Sequence, residues 1–211
     1  MARPPRRTLS GCVATCSKGG TFNMITDIAA LAADPSPLAR TITVDGVELG
    51  VRALLPQDEG ALVAFLAGLS GTSRRFWHGD TAHEVAAADW IEAIGRYDKL
   101  RLVAVDGTGL AGVVDLSLSL PAGHEITRYA EHGIQLDPER TARFGPCVAG
   151  RWQGRGLADA LIPPAWDAIR LLGRDVVVLF GGVHENNERA RRFYRRHGFV
   201  EVGALDMWRR L

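Results

Sequence analysis

Asn187-Glu188-Arg189-Ala190-Arg191-Arg192-Phe193-Tyr194-Arg195-Arg196-His197-Gly198-Phe199 is the run of sequence on which the fold turns. Asn187 to His197 reads as a helix with Phe193 and Tyr194 on its apolar side. Directly before it, Val176 to Phe180 is a continuous apolar run, the pattern of a strand buried on both faces. Before that comes a helix over Gly156 to Leu172, with Leu157, Leu161, Ile169 and Leu172 on one face. A strand over Thr141 to Val148 precedes it. Strand, helix, strand and helix in succession predict a parallel strand pair within a mixed α/β sheet. Phe199 to Arg210 supplies one or two closing strands.

Upstream the pattern is antiparallel. Thr41 to Leu54 reads as two strands around Asp45-Gly46, a hairpin turn pair. Asp58 is placed to cap a helix with apolar Leu62, Phe65, Leu66 and Leu69. Ser70 to Asp80 reads as a loop holding Phe76, Trp77 and His78, either lining an acceptor or forming a hydrophobic plug. Thr81 and Glu84 have the spacing of a capping box for a helix that stops at Gly95. Leu100 to Val105 and Leu110 to Leu120 are strands joined by Asp106-Gly107-Thr108-Gly109. In the second, Val114, Leu116, Leu118 and Leu120 alternate with polar residues, as in a half-buried antiparallel strand. Pro121 to Arg140 reads as a long polar loop of the kind that often carries function.

One turn has the chemistry of an anion site. Between the strand ending at Val148 and the next helix stands Gln153-Gly154-Arg155-Gly156-Leu157-Ala158. Its glycines let backbone approach a ligand without a Cβ in the way. Free amides at the helix start suit a pyrophosphate. No Gly-Lys-Ser/Thr follows, so it is not a P-loop, and the three-glycine spacing of a dinucleotide fingerprint is absent. A plain tight turn before a helix explains it equally well on these residues alone.

Taken together, the two segments resemble the GNAT superfamily of acyl-CoA-dependent N-acetyltransferases. Asn187, Ala190, Tyr194, Gly198 and Phe199 stand at the spacing of that family's last motif, and Gln153-x-x-Gly156-x-Ala158 stands where its pyrophosphate loop belongs. The resemblance covers about Gly50 to Leu211. It implies a mostly antiparallel mixed sheet with helices on both faces and a splayed parallel pair that forms a coenzyme A cleft. Pro146, which has no N–H, marks the break in its strand. The pantetheine arm would pair with the backbone of Cys147 and Val148, and the Val148 amide would polarise the thioester carbonyl. Amides of Gln153, Gly154, Arg155, Gly156, Leu157 and Ala158 would hold the pyrophosphate. Asn187 would bond the pantetheine, and Tyr194 would protonate the leaving thiolate.

Several choices stay open. Base candidates are Asp115, Glu125, Glu131, His132, His184 and Glu185, or a water chain. The arginines from Arg189 to Arg196 read as a solvated face, with one placed for the 3′-phosphate of coenzyme A. Pro163-Pro164 should kink or break the helix that follows the loop. The implied reaction moves an acetyl group from acetyl-CoA directly to an amine, on a small molecule or a protein, without a metal. A coenzyme A-binding regulatory module without catalysis is the alternative. A homodimer is compatible with either.

Composition bounds these readings. The chain is 46% hydrophobic and 23% charged with mean hydropathy near zero, which excludes a largely disordered chain. Its 25 Lys+Arg and 24 Asp+Glu leave +1, which argues against nucleic acid as a partner. No apolar run is long enough for a membrane span. Residues 1–23 hold Arg3, Arg6, Arg7 and Lys18 with no acid, plus prolines and glycines. We expect residues 1–40 to be a flexible extension and linker, with Met24 as an alternative start, and residues 41–211 to be the acetyltransferase domain. Cys12, Cys16 and Cys147 read as free thiols of a cytoplasmic protein.

Overall fold

A computed structural model describes residues 27–77, 81–120, 123–179, 183–184 and 186–211, apart from the side chains of Arg75 and Phe76. The expectations for residues 1–23, His78, Phe180 and Glu185 lie outside the described residues. In chain order the described elements are α1 (Ile28–Ala33), β1 (Arg40–Val44), β2 (Val47–Ala53), α2 (Glu59–Ala67) and α3 (Gly71–Trp77). Next come α4 (His83–Glu92), β3 (Lys99–Asp106), β4 (Gly109–Ser117), α5 (Gly123–Glu131) and β5 (Thr141–Val148). The chain continues with α6 (Leu157–Ala160), α7 (Ile162–Leu171), β6 (Val176–Leu179), α8 (Glu188–Arg196), β7 (Val200–Val202) and β8 (Asp206–Arg210).

The described strands form one sheet in the order β1-β2-β3-β4-β5-β6-β8-β7. Every neighbouring pair is antiparallel except β5–β6, whose crossover is α6 and α7. This is the mixed, mostly antiparallel sheet with one parallel pair that the sequence predicts. Asp45 and Gly46 turn the first hairpin with φ of 52° and 76°, as a type I′ turn requires.

Side chains alternate across the sheet, so register sorts them by face. Leu102, Val114, Leu116 and Phe144 share one face with Leu179, and Phe144 meets Trp166 of α7 at 4.9 Å and Tyr194 of α8 at 6.4 Å. The opposite face carries Arg101, Asp115, Arg143 and Val178. On that face the Arg101 guanidinium lies 4.4 Å over the Trp90 ring of α4, and Tyr129 of α5 clusters with Val178. Helices therefore cover both faces.

Five local expectations are corrected. Ser70 to Asp80 is not all loop: α3 forms because the Ser70 hydroxyl accepts the Ser73 N–H at 3.2 Å and its carbonyl accepts the Arg74 N–H. The polar stretch after Pro121 contains α5, whose buried side is Glu125 and the fully buried Tyr129, a stripe no apolar periodicity would reveal. Asp58 does not cap α2; its carboxylate accepts from Arg52 at 2.6 and 2.8 Å and from the Leu55 N–H. Ala82, with no side-chain bond to offer, stands at the N-cap of α4 in place of a Thr81–Glu84 box. Strand β4 is buried on both faces, Asp115 and Ser117 included, because α4 and α5 lie over its polar side.

The segment expected as a flexible linker is also packed in part. Ile28, Leu31 and Leu38 are buried in the main core, and the Asp27 carboxylate caps α1 through the Ala30 N–H at 2.7 Å. Since Leu31 is fully buried, Leu31→Ala should lower stability by about 2–5 kcal/mol. Urea unfolding of the variant measures it; an unchanged midpoint would show that α1 is not part of the cooperative core.

Candidate active site

Strand β5 is the spine of the site. Its pairing with β4 runs from Arg143 to Val148, whereas the described pairing with β6 ends at Phe144↔Leu179. The Ala149 N–H donates to the Ala111 carbonyl at 2.8 Å. By alternation, the backbone polar groups of Cys147 and Gly145 also point at β4, and those of Val148 and Pro146 point to the other side. Pro146 thus stands where a donor toward the β6 side is missing. The Val148 N–H and C=O point to that same side, and the Cys147 backbone is directed at Val113 of β4.

The loop after β5 is held from below. Gly150–Trp152 forms a 3₁₀ turn, Gln153 is extended, and Gly154 and Gly156 have φ of 78° and 89°, a region costly for any residue with a Cβ. The N–H groups of Gly154, Gly156, Leu157 and Ala158 have no backbone acceptor among the described residues. No side chain caps α6. Four amides at and just before the start of α6 thus stand without a backbone acceptor among the described residues, as an anion site would need.

Asp106, at the β3–β4 turn, anchors this loop. Its Oδ2 accepts the Trp152 indole N–H at 2.7 Å and Arg151 at 3.1 Å, and its Oδ1 accepts the Thr108 N–H and hydroxyl. Burial pushes this carboxyl up, but the bonds from Thr108, Trp152 and Arg151 outweigh it and hold the group far below the usual carboxylate range. Arg155 stacks 4.4 Å over the Trp152 ring and pairs with Asp45 of the β1–β2 turn at 2.7 Å. Asp106 and Asp45 read in the sequence only as turn residues, so this scaffold was not legible there.

The helix after the loop is broken as Pro163-Pro164 predicts. It ends at Ala160 and restarts at Ile162. Pro163 and Pro164 cannot donate to the carbonyls of Asp159 and Ala160, and the ladder resumes with the Ala165 N–H on the Leu161 carbonyl. The Asp159 carboxylate accepts from Arg196 at 2.6 Å and lies 2.8 Å from His197 Nε2, tying α6 to α8.

Helix α8 brings Tyr194 to β5. The ring packs on Phe144 and Phe199, and the hydroxyl has no hydrogen bond to any described residue. Desolvation first, and the nearby Cys147 sulfur second, push the phenol well above its ordinary value, so it is protonated at neutral pH. Burial likewise pushes the Cys147 thiol up to about 12. Asn187 is the N-cap of α8, its side-chain oxygen accepting the Ala190 N–H at 3.2 Å. Gln153 joins the parts: its amide lies 3.5 Å from the Val148 carbonyl, and its oxygen accepts from Arg189 at 3.2 Å.

Of the helix arginines, Arg191 is buried and pairs with Glu201, Arg195 pairs with Glu201, and Arg196 pairs with Asp159. Arg192 has no ion pair among the described residues. Trp77 packs on Trp90 with centroids 5.7 Å apart, as a hydrophobic plug would. Glu131, His132 and His184 are exposed. His132 lies against Gly203 in the β7–β8 turn, three strands or about 14 Å of sheet away from β5. Asp115 and Glu125 are buried on the polar face of the sheet.

Comparison with known proteins agrees with this geometry. Residues 102–201 match the family profile described as an acetyltransferase (GNAT) domain. No curated protein matches the chain. Among solved structures, the GNAT domain of S. lividans PAT superposes with a TM-score of 0.67 at 21% identity, covering 84% of this chain and 99% of that one. The spermidine/spermine N-acetyltransferase SpeG from Vibrio cholerae gives 0.53 at 22% identity, covering 77% and 94%. PaiA N-acetyltransferase from Thermoplasma acidophilum, solved with coenzyme A, gives 0.55 at 16% identity, covering 77% and 99%. Residues 102–201 thus match a GNAT acetyltransferase domain, and the described fold as a whole is the one these acetyltransferases share.

The Asp106 anchor has a pH signature. A carboxyl lowered in the folded state contributes stability that is full above its unfolded pKa of about 3.9 and is lost as pH falls through its folded value. Asp106→Asn should therefore cost about 1–3 kcal/mol at pH 7 and distinctly less at pH 3. Urea unfolding at the two pH values checks this; an equal cost at both would show that the anchor does not depend on the charge.

Proposed function

We propose that this protein transfers the acetyl group of acetyl-CoA directly to an amine acceptor, with Tyr194 as the general acid. The observation that carries the reading is that Val148 turns its backbone to the β6 side of β5, that the N–H groups of Gly154, Gly156, Leu157 and Ala158 just beyond it have no backbone acceptor among the described residues, and that Tyr194 packs on Phe144 of the same strand. In this reading the amides of the 153–158 loop hold the pyrophosphate. The Val148 N–H faces the thioester oxygen and stabilises the charge that develops there as the amine adds. Asn187, with its oxygen committed to the helix cap, offers its amide N–H groups to the pantetheine. Arg192 is the cation free to meet the 3′-phosphate.

The proton chemistry follows from the pKa directions. An ammonium near pKa 10.4 is neutral in only about one molecule in 2,500 at pH 7, so the acceptor must lose a proton before it attacks. When the C–S bond breaks, the thiolate needs one. Tyr194 is held protonated by desolvation and lies near Cys147, so it is placed and charged to give it. A purely regulatory coenzyme A binder has no use for such a group. In this reading the acetyltransferase domain takes in residues 41–211 with α1 packed onto its core, and no metal takes part.

Acetyl-CoA should raise the melting temperature of the protein, and Gly156→Glu should abolish that rise. The substitution puts a carboxylate against the pyrophosphate position and a Cβ on a φ of 89°. A full shift in a folded Gly156→Glu variant would discard the loop assignment. Tyr194→Phe should keep the acetyl-CoA Kd within a few-fold while kcat falls by about 10²–10⁴. Wild-type turnover in that variant, with chemistry rate-limiting, would leave Tyr194 as a packing residue only.

A further inference from the structure

Resting on the reading of the 153–158 loop as the pyrophosphate site, we propose that Arg196 and His197 hold the Asp159 carboxylate away from that loop, which it would otherwise close as an internal competitor of the coenzyme. Asp159 is the third residue of α6, and Gly156 is the N-cap. An acidic side chain at that position commonly turns back and accepts the N-cap N–H, the second half of a capping box. The positive end of the helix dipole favours it there as well. The same chain makes this contact elsewhere. Asp58, the third residue of the 3₁₀ turn Pro56–Asp58, accepts the N–H of the N-cap Leu55 at 2.9 Å.

Asp159 does not make it. Its Oδ1 accepts from Arg196 Nη2 at 2.6 Å and lies 2.8 Å from His197 Nε2. The Gly156 N–H has no backbone acceptor among the described residues, and no side chain caps α6. The carboxylate in the first turn is therefore directed at α8 and not at the amide that a capping box would give it. Burial pushes this carboxyl up, but the bonds from Arg196 and His197 outweigh it, so it is charged at neutral pH and able to compete with a phosphate for donors. The restraint is itself anchored. Arg196 ends α8 and His197 is its C-cap; the His197 ring stands 4.7 Å from Phe193, and Arg209 of β8 donates to the His197 carbonyl. With side chains 42% and 59% exposed, the Asp159–Arg196 pair adds little to stability. Its consequence is where it puts the charge.

Two arrangements of one side chain follow. In the observed one the carboxylate is on α8 and the loop amides are available. In the other it caps Gly156 and sets a negative charge where the pyrophosphate would lie, so a coenzyme must displace it. Arg196 and His197 bias the choice by their own hold on the carboxylate. Removing both should expose the competition, and removing the charge of Asp159 should abolish it. That pattern differs from two simpler roles. A strut between α6 and α8 would weaken coenzyme binding whichever partner is lost. An Arg196 that touched the coenzyme phosphates would weaken binding on its own loss, and a change at Asp159 would not restore it.

Calorimetry with coenzyme A on the full chain reads the effect and needs no acceptor. Arg196→Ala combined with His197→Ala should raise the coenzyme A Kd about tenfold, the factor that one helix cap is typically worth. Asp159→Asn alone, which removes the charge, should leave Kd within about threefold of wild type. Added to the double variant, Asp159→Asn should bring Kd back into that range. Should the double variant not fold, Arg196→Ala alone keeps the imidazole in place and should show a loss of about threefold that Asp159→Asn again removes. An unchanged Kd in the folded arginine and histidine variants would overturn the proposal. So would a tenfold loss from Asp159→Asn alone, or a loss that Asp159→Asn does not restore. A wild type that does not bind coenzyme A would overturn the assignment of the loop itself, and this inference with it.

Discussion

Pro146 interrupts the row of N–H donors that β5 turns toward its β6 side, and the proposed site is arranged around that missing donor. A strand inside a sheet normally spends its N–H and C=O groups on two neighbours. Val148 turns its own backbone groups to the same side as Pro146, with the Gln153 amide 3.5 Å from its carbonyl. A cleft beside β5, as the proposed reading requires, would open at that gap, with Tyr194 packed on Phe144 of the same strand.

An opening is useful only if the chain that leaves it is held still. The 150–158 loop has little apolar surface of its own, and its two positive-φ glycines add backbone freedom in the unfolded chain. Its order comes from neighbours distant in sequence: Asp106 grips Trp152 and Arg151, and Asp45 grips Arg155, which in turn stacks on Trp152. Both acids sit in hairpin turns at the same end of the sheet, so the sheet's own turns hold the loop. The break at Leu161 complements this. Pro163 and Pro164 end the short helix early, and Asp159 ties α6 to Arg196 and His197 of α8.

What could be read in the sequence was what repeats or recurs locally. The apolar run Val176–Leu179, the Asp45-Gly46 turn and the double proline each impose structure through a few adjacent residues, and each appears in the fold as expected. Helices α3 and α5 did not announce themselves, for physical reasons. Helix α3 is built from Gly, Thr, Ser and Arg and is set by the Ser70 cap, while α5 buries Glu125 and Tyr129, whose worth depends on partners far away in the chain. Tyr129 donates to the Met207 carbonyl and Arg128 chelates Asp206, 78 residues on. The site divides in the same way. Tyr194, Asn187 and the glycine loop are singled out by the resemblance of two local segments, whereas the Asp106 anchor and the polar floor of the sheet depend on residues that only the folded sheet brings together.

Register also explains why the polar floor is tolerable. Arg101, Asp115 and Arg143 come from three adjacent strands, β3, β4 and β5, so charges alternate in sign across the sheet rather than along one strand. Cross-strand neighbours of opposite sign attract and like charges repel. Glu125 descends from α5 above Arg143 and extends the alternation to a fourth element. Asp115 and Glu125 are thus each partly compensated, by Arg101 at 3.5 Å and by Arg143 at 3.9 Å. Burying such charges costs stability that an apolar floor would keep, and the alternation of sign across the strands offsets part of that cost.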